Sequence, residues 1–145
     1  MDKEKPVIRF NSENELARCG HWWEKKLGIS DWIIEYRIVH FYESCLNGRY
    51  MGMCDFDSVN RVAFIYLANY PTLPQNSPFK VVMENTLVHE LLHIVYLLDA
   101  SGTDASYESR YLYDHEHTKL EKMARTLIKV RYNLDDNFFR KGSVL

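Results

Sequence analysis

The stretch Thr86-Leu87-Val88-His89-Glu90-Leu91-Leu92-His93-Ile94-Val95 constrains this chain more than any other. His89 and His93 are four residues apart, so on a helix both imidazoles leave one face and can grip a single metal ion. Glu90 falls beside them. Every other position from Leu87 to Leu98 except Tyr96 is aliphatic, so this helix is apolar all round and belongs in a domain core. Burying polar side chains there costs on the order of 2–7 kcal/mol per group unless hydrogen bonds or a cation compensate.

The chemistry of those residue types points to zinc. Neutral imidazole is a good zinc ligand, and a catalytic zinc takes three protein ligands and leaves a fourth position for water. Zinc brings the pKa of that water towards about 7. A carboxylate within reach, here Glu90, can then take its proton and return it to a leaving amine. A helix that carries two histidines by chance would show the same five letters, but the apolar flanks weigh against it.

A chain of 145 residues is long enough to bury a core as a single domain, residues 1–145. The formal charge is -2 with both signs interspersed, so no basic face suggests nucleic acid. The start, Met1-Asp2-Lys3-Glu4-Lys5-Pro6, lacks an apolar signal core, and no run approaches the length of a bilayer span. Cys19, Cys45 and Cys54 are odd in number and form no Cys-x-x-Cys pair, as expected of reduced thiols. A cytoplasmic protein without a membrane partner is the expectation; nothing here speaks to oligomeric state.

Along the chain, residues 12–27 read as a helix with Ser12 as N-cap, Glu15 completing a capping box and Gly28 ending it. Leu16, Cys19, Trp23 and Leu27 give its apolar stripe, and His21 lies outside it. Strands are expected at 31–41, 50–55 and 61–67, the first two joined as a hairpin at Asn47-Gly48. Three prolines break the loop up to Pro78. With Ser77 as N-cap and Pro78 at its first position, the metal helix should run over 79–98. A long helix over 107–132 should pack beside it, followed by a polar, partly mobile tail from Asn133. The sum is an α+β domain.

Two histidines need a third ligand. Asp99 is disfavoured because no glycine breaks the helix at Tyr96, so the helix should carry Asp99 away from the metal face. The segment around Asp104 follows His93 too soon. In Asp114-His115-Glu116-His117, Glu116 is the expected ligand: Leu120, Met123 and Leu127 lie four, seven and eleven residues on, which puts it on the core face. His117, three before Leu120 and seven before Ala124, is the alternative. His115, His117, Tyr111, Tyr113 or Tyr107 could serve as oxyanion or supporting groups.

With these residues in place the sequence resembles the gluzincin metallopeptidases, and more narrowly small phage-like or prophage-encoded members. The likeness rests on residues 27–32 leading into a strand, the 61–67 strand, the 86–93 motif, and Glu116 with Met123-Ala124-Arg125. It implies a minimal zincin fold, a short twisted sheet packed on the metal helix and a following long helix. It also implies a zinc ion, a peptide or protein substrate, and an edge strand within 61–67 to align that substrate. Thermolysin-like gluzincins place an aspartate four residues after the glutamate ligand, where this chain has Leu120. Support must come from elsewhere, with Asp114 and Glu121 as candidates. Two other readings fit the same motif: a non-catalytic binding module built around a metal, and a zinc hydrolase of a non-peptide amide.

Overall fold

Ser12 opens the first helix, α1 (Glu13–Leu27), as its spacing predicts. Its Oγ accepts from the Glu15 amide at 3.1 Å, and Glu15 reaches back to the Asn11 amide, also at 3.1 Å. Gly28 ends the helix in the left-handed region, φ 74°. The computed structural model describes residues 4–39, 51–69, 77–98 and 107–142, the side chains of residues 107–114 excepted. The remaining elements are β1 (Ile33–Val39), β2 (Gly52–Asp57), β3 (Val62–Ala68), α2 (Met83–Tyr96) and α3 (Tyr107–Tyr132). The architecture is α+β.

The sheet has the order β1-β3-β2, with β1 parallel and β2 antiparallel to β3. The expected hairpin between the first two strands is therefore not formed, and Asn47-Gly48 lies outside the described residues. The tight connection is instead β2 to β3. Asp57 accepts there from the amides of Val59 and Asn60 and from Asn60 Nδ2, an Asx-type turn. Burial explains which strand takes the centre. The inward residues of β3, Ala63, Ile65 and Leu67, are fully buried, whereas β1 exposes Ile33, Glu35 and Arg37. This also corrects the expected edge: the strand over 61–67 is central, and β1 and β2 are the outer strands.

Both α1 and α2 lie against this sheet, each where a glycine permits close approach. A Cβ on Gly20 would come within 2.3 Å of the Tyr36 ring, and one on Gly52 within 2.9 Å of Thr86 Cγ2. The second contact holds β2 beside α2.

The expected start of α2 at residue 79 is also corrected. Ser77 accepts from the Phe79 amide, but the chain then runs extended. Phe79 pairs with Arg140, Lys80 N donates to Phe139 O, and Lys141 N to Pro78 O. The helix begins only at Met83, with Val82 as a cap that offers no side-chain acceptor. Backbone carbonyls replace it: Ile8 O takes the Met83 amide and Val7 O the Glu84 amide, both at 3.0 Å. The same pairing ties down the chain after Asn133, where Phe138 and Phe139 are buried.

Glu84 is the buried hub of this end of the fold. It is 0% exposed and accepts from Val7 N, Trp23 Nε1, Arg131 Nη1 and Tyr132 Oη at 2.7–2.9 Å. One carboxylate thus joins the N-terminal segment, α1, α2 and α3. Cys19 lies near it, and burial together with that carboxylate pushes its thiol up to about 12. Cys54 is buried and forms no disulfide among the described residues.

Candidate metal centre

The 3.6-residue period places His89 and His93 on one face of α2, and their ring centroids are 5.3 Å apart. The third member comes from α3. His117 lies 5.5 Å from His89 and 4.9 Å from His93 between centroids, and the ligating atoms of all three fall within 4.8 Å of one another. Among the described residues these are the His, Cys, Asp or Glu side chains grouped closely enough to hold one ion.

Glu116, the expected third ligand, is half-buried and not part of this group, whereas its neighbour His117 is. The reason is helix phase. Among the described side chains of α3 the buried residues are Leu120, Ala124, Ile128 and Tyr132, whereas Met123 is 38% exposed. Counting Met123 as core swings the inferred face by most of one residue, about 100°. With the stripe centred on Ala124 and Ile128, His117 lies seven and eleven residues before them, on the midline. His115 is exposed. The side chains of Tyr107, Tyr111, Tyr113 and Asp114 lie outside the described residues, as does Asp99.

Each ring of the α2 pair is oriented by a partner on Nδ1. His89 Nδ1 meets Glu121 Oε2 at 2.8 Å, and His93 Nδ1 meets the Leu98 carbonyl at 2.9 Å. That carbonyl accepts, so the His93 proton sits on Nδ1 and Nε2 becomes the lone-pair donor. This outward support of ligand histidines is how metal sites fix ring orientation and basicity. Glu121, one turn beyond His117, is one of the two supporting candidates raised from sequence. Its carboxylate also accepts from Asn85 Nδ2 at 2.8 Å and Arg125 Nε at 3.0 Å.

The Leu98 contact depends on a helix end that the sequence conceals. Without a glycine, α2 should run on through Leu98, yet it stops at Tyr96 because Leu97 turns left-handed, φ 52°. Leu98 N then donates to His93 O while Leu98 O faces the His93 ring. A non-glycine residue in that region costs roughly 1–2 kcal/mol, and such strain is concentrated at functional sites.

Electrostatics follow from burial and these partners. Burial works to lower the His89 pKa, but the hydrogen bond to Glu121 and the charge of Glu90 hold it above the usual value. Burial works to raise Glu121, but His89, Arg125 and Asn85 bring it below the usual carboxylate range. Burial pushes Glu90 up to about 7, against the pull of His89. Its Oε2 is buried without a hydrogen-bond partner among the described residues.

The donor set fits a transition-metal ion. Three imidazoles match zinc, and a neighbouring carboxylate oxygen without a protein partner suits a water or proton held beside the ion. His89 and His117 also line an open groove of about 690 Å³ along α3, so the centre has an entry path. No helix among the described residues is long and apolar enough to cross a membrane. Compared with known protein families, curated proteins and solved structures, the chain matches none, so its functional reading rests on the geometry of this centre.

Proposed function

We propose that the protein is a zinc-dependent peptidase in which His89, His93 and His117 hold the metal and Glu90 is the general base. The observation that carries this reading is the convergence of His117 from α3 on the motif pair of α2. A zinc ion held there would supply Lewis acidity, polarising a carbonyl and acidifying water.

The chain's own residues then have distinct tasks. Glu90, with one carboxylate oxygen lacking a protein partner and a pKa pushed up to about 7, takes a proton from the attacking water and passes it to the leaving amine. Glu121 and the Leu98 carbonyl keep the two α2 imidazoles in their tautomers. β2, an outer strand packed on α2, offers an edge that is unpaired among the described residues to an extended peptide by strand addition. The three-histidine set departs from the glutamate ligand that a gluzincin resemblance implies, so the kinship proposed is with HExxH zincins in general. A cytoplasmic location belongs to the same proposal.

The test is to load the purified chain with zinc and follow cleavage of a mixed peptide library by mass spectrometry. Glu90→Gln should keep its zinc and lose about 10²–10⁴ in rate, and His93→Ala should lose both metal and activity. Undiminished cleavage by the Glu90 variant would remove Glu90 from the mechanism.

A further inference from the structure

His117, Glu121 and Arg125 succeed one another at four-residue steps on α3, so they form one stripe running away from the metal centre. The groove that begins at His89 and His117 continues past Glu121 to Lys122, Arg125 and Lys129. Its far half is therefore cationic. Lys129 is paired with Asp136, and Lys122 stands exposed at the rim.

Arg125 is different because it is held. Its Nε donates to Glu121 Oε1 at 3.0 Å, and its guanidinium carbon lies 4.4 Å from the Phe79 ring centroid and 5.5 Å from that of Phe139. Both rings are fixed by the pairing of residue 79 with residue 140. The two terminal nitrogens of Arg125 make no hydrogen bond among the described residues. The Glu121 oxygens are already engaged by His89, Asn85 and Arg125 itself, so the groove's carboxylate does not satisfy that fork. A planar, pre-organised guanidinium with open terminal N–H groups suits a carboxylate bound through two parallel bonds.

We propose that Arg125 selects substrate by binding a carboxylate, an acidic side chain or the chain terminus, with Lys122 and Lys129 adding to the attraction. Eight residues of helix separate it from His117, about 12 Å along the axis. The Arg125 side chain reaches back towards Glu121, so the carboxylate falls roughly two to three residues of extended chain, at about 3.3 Å each, from the bond that is cut. This rests on the hydrolase reading of the metal centre, and binding can be measured apart from cleavage.

The test uses the zinc-loaded full chain and labelled decapeptide pools. One amidated pool carries Glu, a matched amidated pool carries Gln, and a third Gln pool has a free C-terminus. By fluorescence anisotropy at low salt, a carboxylate-bearing pool should bind about tenfold or more tightly than amidated Gln, as one charge-assisted pair allows. Arg125→Gln should bring the ratio to within about twofold while zinc content stays at the wild-type level, and Arg125→Lys should recover only part of it because the fork is lost. Which pool shows the gain identifies the carboxylate as side chain or terminus. Equal binding of all pools by the wild type, or a preference that survives Arg125→Gln, would overturn the proposal. Arg125-dependent binding without cleavage would keep it and refute the peptidase reading; cleavage indifferent to carboxylates would do the reverse.

Discussion

α2 carries two buried glutamates six residues apart, and they are treated in opposite ways. Glu84 is enclosed by donors from three other parts of the chain, so both its oxygens are satisfied. Glu90 is as deeply placed, yet its Oε2 has no partner among the described residues. Burial alone does not decide how a carboxylate is held; the number of fixed donors around it does. A charge whose hydrogen bonds are all made inside the protein stabilises one packing. A carboxylate left short of donors binds a proton more tightly, which brings its pKa up into the range where the proposed general base would work.

The largest expected effect breaks the satisfied side of this comparison. Glu84→Ala strands Arg131 and the hydroxyl of Tyr132, and removing one member of a buried pair costs about 3–5 kcal/mol. Urea unfolding should show that loss, while the fraction still folded should bind zinc like the wild type. A loss under 1 kcal/mol would mean that the hub is not what joins α1 and α3 to α2.

The next prediction concerns pH in the metal-free protein. Glu90 has a folded pKa of about 7, above its unfolded value of 4.5, so the folded state binds the extra proton between them. Stability from this group is therefore greatest below about 4.5, falls as pH rises through that window, and levels off above it, by a few kcal/mol in all. Glu90→Gln should remove that slope relative to the wild type without destabilising the fold at pH 7. Parallel stability profiles for the two proteins would contradict the unsatisfied status of Glu90.

Glu121→Gln sharpens the comparison from the outer side of the centre. It keeps an acceptor for His89 but removes the charge, and such changes typically cost 10–100-fold in metal affinity. Competition with a chromophoric chelator would measure it. The smallest effect belongs to Leu97→Gly. Relief of the left-handed strain, roughly 1–2 kcal/mol, is offset by the extra freedom of glycine in the unfolded chain, about 0.5–1 kcal/mol. A gain of about half a kcal/mol in thermal unfolding is expected, with metal affinity unchanged.

Much of this was legible from residues. The capping box at Ser12 and Glu15, the stop at Gly28, the α3 span and the His89–His93 spacing are local rules that tertiary packing did not override. What failed depended on distant partners. The start of α2 moved because residues 78–80 pair with 139–141 and because Val7 and Ile8 cap the helix, contacts between the two ends of the chain. The hairpin expected at Asn47-Gly48 gave way because β3, fully buried on its inner side, separates β1 from β2. Separately, a helix phase that takes Met123 for core points to Glu116, whereas Met123 is 38% exposed and the buried stripe points to His117. The role of Glu84 had no local signature, since its donors lie 47 to 77 residues away.

In the function proposed here three histidines, with His117 as the third, hold a metal. Elemental analysis of chelator-free protein reconstituted with zinc tests it most directly, comparing wild type, His117→Ala and Glu116→Ala. One zinc per chain is expected in the wild type and in Glu116→Ala, and loss of zinc from His117→Ala. Zinc retained by His117→Ala but lost from Glu116→Ala, or none bound by the wild type, would contradict it.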